Sequence, residues 1–80
     1  MFEEIGKILK EEYGIVDISR DMDVKGGLGL NSFDLMNLIC IVEERYHIEI
    51  DEEQYRQLVT LGEMCDYVEL KIREQRGKAG

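Results

Sequence analysis

Eighty residues, 44% of them hydrophobic, are enough for one small folded domain and too apolar for a disordered chain. A formal net charge of -8 excludes a surface built for nucleic acid or for anionic lipid. It favours partners with basic patches, met through electrostatic steering. The chain contains no proline, so nothing of that kind interrupts a long helix. Two cysteines, a start of Met1-Phe2-Glu3-Glu4 and no apolar run of bilayer length lead us to expect a monomeric cytoplasmic protein that does not insert into membranes.

Phe2, Ile5, Ile8, Leu9 and Tyr13 recur with helical period, with Glu3, Glu4, Lys7, Lys10 and Glu11 on the polar back. Gly14 supplies a helix C-terminus. Residues 14–31 lose the helical pattern. Asp17, Ser19, Asp21 and Asp23 are interleaved with Ile18, Met22 and Val24, an alternation that also fits a strand. Without an obvious second strand to pair with, an ordered loop pinned by its apolar residues is the better expectation. Gly26, Gly27 and Gly29 give its end backbone freedom.

Asn31 is a good N-cap for a second helix, whose stripe of Leu35, Leu38, Ile39, Val42 and Tyr46 spans to a close at His47. Ile48, Glu49 and Ile50 read as a connector. Asp51 with Gln54 resembles a capping box for a short third helix reaching about Leu58, with Tyr55 and Leu58 inward. Thr60 with Glu63 is a cleaner box. The helix it opens carries Leu61, Met64, Cys65, Val68 and Ile72 on one face and is expected to fray after Arg73. The predicted fold is all-α, a four-helix bundle with a long first loop and a short third helix. Residues 1–75 form the domain and 76–80 a flexible tail.

The passage most able to carry chemistry is Leu28-Gly29-Leu30-Asn31-Ser32-Phe33-Asp34-Leu35. A glycine-containing loop delivers a serine to the first turn of a helix, where unpaired amides and the helix dipole favour an attached phosphate. The plain alternative is that Ser32 is one more polar residue at a helix start. Beyond its buried stripe the same helix has a second apolar line of Phe33, Met36 and Cys40, with Asn37 and Glu44 beside it. Either the helix is buried on two sides, or this line is an exposed docking strip on which Asp34, Glu43 and Glu44 meet basic partners.

Leu28 to Ile50 resembles the signature region of acyl carrier proteins: a Leu-Gly-x-Asp-Ser-Leu loop, an apolar helix, an acidic pair, an aromatic and Ile-Glu-Ile. A weaker resemblance in helix spacing covers nearly the whole chain. It implies a 4′-phosphopantetheine arm, covalently attached at Ser32 by a phosphopantetheinyl transferase and carrying acyl groups as thioesters for fatty-acid, polyketide or related synthesis. It also implies a carrier with no catalytic residues. The second helix, through Phe33, Asp34, Met36, Asn37, Cys40, Glu43 and Glu44, would meet acyl-transferring or adenylating enzymes. Two positions depart from the pattern. Asn31 replaces the usual aspartate, keeping the cap but losing a charge beside the serine. Phe33 replaces the usual leucine, as in D-alanyl carrier proteins, which keeps an aminoacyl cargo open. An unmodified helical interaction module is the alternative of another class.

Rival chemistries fail on spacing. Along one helix, Ser32 and the sole histidine, His47, lie roughly 22 Å apart, too far for a hydrolase pair. Gly27 and Gly29 lack the phosphate-loop lysine and a third glycine at the required offset. Cys40, Cys65 and His47 fall short of a structural zinc set, so no metal is expected. Asp17, Asp21 and Asp23 lack the glycine and bidentate glutamate of a calcium loop.

Overall fold

The computed structural model describes the backbone of residues 1–79 and the side chains of residues 1–75. Four helices follow in chain order: α1 (Phe2–Tyr13), α2 (Ser32–Tyr46), α3 (Glu52–Tyr55) and α4 (Leu61–Ala79). The predicted all-α four-helix architecture is the observed one. The apolar stripes converge on one core. Ile5, Ile8 and Leu9 of α1 meet Leu38, Ile39 and Val42 of α2, and Leu61, Met64, Cys65 and Val68 of α4. Tyr55 is buried from α3.

Local chemistry sets the helix ends. Gly14 closes α1 in the left-handed region at φ 67°, and Ile15 N–H donates to Leu9 O at 3.1 Å, so the last carbonyls of α1 are paired. Asn31 Oδ1 accepts from Asp34 N–H at 2.8 Å and starts α2, which His47 ends at φ 55°. Thr60 Oγ1 accepts from Glu63 N–H at 3.1 Å at the head of α4. The expected Asp51–Gln54 box is only half formed. Asp51 Oδ1 accepts from Glu53 N–H at 2.9 Å, but Gln54 Oε1 instead accepts from the Tyr67 hydroxyl at 2.8 Å. Tyr67 in turn accepts from Asp51 N–H at 3.2 Å, doing the job expected of Gln54. The helix α3 is a single turn and stops before Leu58, which is half-buried.

The loop 14–31 is ordered, as expected, but it does find a backbone partner. Val24 N–H donates to Val59 O at 3.0 Å, and Leu61 N–H to Met22 O at 2.8 Å, around an isolated antiparallel bridge between Asp23 and Thr60. A two-residue pairing is too short to leave an alternating pattern in its second partner, so the sequence shows only one side of it. Arg20 adds an ion pair to Asp66 at 2.9 Å. Among Gly26, Gly27 and Gly29, Gly29 alone has positive φ (73°), whereas Gly27 is needed for closeness: a Cβ there would lie 2.8 Å from Asp23 O and 2.9 Å from Asp23 N.

The helix α4 is assigned beyond Arg73, to Ala79. Gln75 accepts from Glu49 N–H and donates to Glu49 O, both at 3.0 Å, tying α4 to the connector. The expected tail, 76–80, overlaps the end of α4, and Gly80 lies outside the described residues.

Two expectations follow for stability. Gly27→Ala forces backbone apart and should lower unfolding free energy by ~1–3 kcal/mol, while Gly26→Ala, which meets nothing within 4 Å, should lie within about 0.5 kcal/mol of wild type; denaturant midpoints compare them. Burial pushes the Cys65 thiol from 9.0 up to about 11. The folded chain thus holds this proton longer than the unfolded chain, so its contribution to stability is full below pH 9 and is lost as pH rises through that window. Melting temperature should fall more steeply across the window in wild type than in Cys65→Ala, which keeps the Tyr46 hydroxyl, itself raised by burial.

Candidate functional site

Ser32 is the first residue of α2 and is exposed. Its placement follows from its neighbours. Leu28 and Leu30 before it, and Leu35 after it, are all buried. The four residues between Leu30 and Leu35 must then bulge outward, and the Asn31 cap turns them into the helix. Tyr13 holds this turn from α1: its hydroxyl donates to Asp34 O at 3.1 Å and accepts from Asn37 Nδ2 at 2.9 Å.

Beside Ser32 opens a cleft of about 550 Å³. Its polar lining is Lys25, Asn31, Ser32 and Arg56; its apolar lining is Leu30, Leu35, Met36 and Tyr55. The Tyr55 hydroxyl donates to the Met36 sulfur, joining α3 to α2 across this wall. Lys25 Nζ donates to Arg56 O at 3.1 Å, and Arg56 pairs with Glu52 at 2.5 Å. The sequence pattern gave no hint of Lys25, Tyr55 or Arg56 at this place. They come from two segments about thirty residues apart, and only the third helix's apolar side marked Tyr55, as a core residue.

The second apolar line of α2 faces outward. Phe33 is 81% exposed and Met36 41%, and Cys40 and Glu44 are exposed. The reading in which α2 is buried on two sides therefore does not hold. The flanking residues are less available. Asp34 is half-buried at the capped turn, Asn37 is bonded to Tyr13, and Glu43 Oε2 accepts from Ile50 N–H at 2.9 Å, fixing the connector after α2. His47 sits at the opposite end of α2 from Ser32. Asp23 accepts from Lys25 N–H at 2.8 Å and organises the loop turn. The Ser19 hydroxyl, donating to Asp21 at 2.7 Å, holds that carboxyl below its ordinary value. Among the described residues no helix is long and apolar enough to cross a membrane.

Residues 3–68 match the family model described as a phosphopantetheine attachment site. The acyl carrier protein of Helicobacter pylori strain J99 is 30% identical over 71 residues, covering 86% of this chain and 91% of its own. The acyl carrier protein of Guillardia theta is 27% identical over 74 residues, covering 90% and 91%. With a domain model spanning most of its length and relatives matched nearly end to end, this chain belongs to the acyl carrier protein family, and its prosthetic group is a covalently attached 4′-phosphopantetheine.

Proposed function

We propose that Ser32 bears the arm, that the chain carries acyl intermediates for fatty-acid, polyketide or related biosynthesis, and that the outer side of α2 presents them to partner enzymes. The observation that carries this reading is the position of Ser32, exposed on the first turn of α2 at the edge of an open cleft.

The surroundings of the serine suit the group. The first-turn amides and helix dipole favour a phosphate on the hydroxyl, and the cleft offers cationic and apolar walls together. In attachment, Ser32 Oγ displaces 3′,5′-adenosine bisphosphate from coenzyme A: an Oγ–P bond forms, a P–O bond of the pyrophosphate breaks, and the hydroxyl proton passes to a base. The residues lining the cleft include neither carboxylate nor histidine, so that base belongs to the transferase. Once bound, the group supplies a thiol that holds cargo as a thioester. The chain itself positions and displays; acid, base and nucleophile for the cargo's reactions are the partners' part.

Phe33, Met36, Cys40 and Glu44 form the centre of the docking strip, with Asp34, Asn37 and Glu43 at its flanks. An apolar line within an acidic chain suits a partner with an apolar hollow rimmed by basic residues. A monomer working in a reducing cytoplasm fits a core that already takes in the stripes of all four helices and two free thiols, Cys40 exposed and Cys65 buried.

Incubating the apo chain with coenzyme A and a broad-specificity transferase should add one phosphopantetheine by intact mass, and Ser32→Ala should add none; a folded apo chain refused by several transferases would overturn the assignment. In the loaded protein, Phe33→Ala and Glu44→Lys should each lower kcat/KM with a partner enzyme by about tenfold, or ~1.4 kcal/mol, with melting temperature unchanged. Wild-type kinetics in both would remove the strip from the interface.

A further inference from the structure

We propose that Lys25 and Arg56 form a clamp for the phosphodiester that joins the arm to the protein, an inference resting on the reading of Ser32 as the attachment residue. Acidic residues outnumber basic ones by 18 to 10 in this chain, yet the cleft beside Ser32 is lined by two cations and no carboxylate. Among the residues that line it, the charge balance of the molecule is reversed where the proposed anion would be attached.

Both cations are set in place by buried neighbours. Lys25 follows Val24, which is 2% exposed and bonded through its amide to Val59 O. The Asp23 carboxylate fixes the turn by accepting from the amide of Lys25 at 2.8 Å. Arg56 follows Tyr55, buried against the core and bonded to Met36. The bond from Lys25 Nζ to Arg56 O joins the two segments at 3.1 Å.

Neither charge is firmly committed elsewhere. Lys25 donates to a neutral carbonyl, and the Arg56–Glu52 pair lies at the surface, its side chains 68% and 52% exposed, where ion pairs are loosely held and readily exchanged. A phosphodiester keeps its negative charge at every physiological pH and has two oxygens that can accept from an ammonium and a guanidinium together. Held there, the root of the arm is shielded from the field of the acidic chain, and the range over which the arm sweeps is restricted.

The test is ³¹P NMR of the loaded protein, with loading verified by intact mass, in wild type, Lys25→Gln, Arg56→Gln, the double variant and the rescue variant Lys25→Arg. The wild-type phosphodiester line should be displaced from that of the double variant by more than its width, and Lys25→Arg should restore it where Lys25→Gln does not. Raising ionic strength from about 0.01 to 1 M shortens the screening length from about 30 to 3 Å and should move the wild-type line toward the double variant's, leaving the latter in place. A loaded protein whose line is the same in all five forms and indifferent to salt overturns the clamp alone. A wild type that takes no arm overturns the attachment reading and the clamp with it.

Discussion

Leu30 and Leu35 enter the core on either side of a four-residue segment that cannot follow them, and the geometry of the site depends on that constraint. Burying a leucine is worth ~1.5–3 kcal/mol, against ~1 kcal/mol for a typical hydrogen bond. The leucines therefore decide where the chain dives and resurfaces, while the Asn31 cap and the Tyr13 bonds decide how the exposed segment is shaped. An exposed serine is ordinary. One held between two buried leucines, at a fixed helix start, is a fixed point, as the proposed attachment of a long flexible arm there would require.

The loop that leads to this point is held by a different kind of interaction. Main-chain bonds from Val24 and to Met22 and Arg20 run against residues 59–62 at the head of α4, and Arg20 reaches Asp66 and lies 6.0 Å over the Phe2 ring. Val24, Leu28 and Leu30 are buried in the core and Ile15, Ile18 and Met22 pack against it, so the loop is pinned by its apolar side chains together with this seam. The same seam brings Lys25 beside the segment that follows α3, and the cleft exists because loop and third helix meet there.

What the sequence reveals in this chain is what is local. Helix periods, the Gly14 and His47 closures, and the Asn31 and Thr60 caps depend on residues within four positions of one another, and each was legible. The exposed line of Phe33, Met36 and Cys40 was visible as a line but not as a surface, because period alone cannot say how many neighbours a helix has. The pairing of Val24 with Val59, the bond of Gln75 to Glu49 and the lining of the cleft by Lys25 and Arg56 join residues 26 to 35 positions apart. They depend on how the helices pack, and no local pattern carries them. Ser32 was marked by its motif; its cationic surroundings were not.

The departure at position 31 acquires a physical sense in this setting. An aspartate and an asparagine cap a helix about equally well, and Asn31 makes the bond to Asp34 N–H at 2.8 Å. An aspartate there would also set a carboxylate next to the serine and on the lining of a cleft that has none. With asparagine the cap is kept and the repulsion toward a phosphate is removed. Under the proposed attachment at Ser32, neutral Asn31, the first-turn amides of α2, Lys25 and Arg56 would act in one direction on the same small volume, and the residue that looks like a defect in the motif would belong to the electrostatics of the cleft.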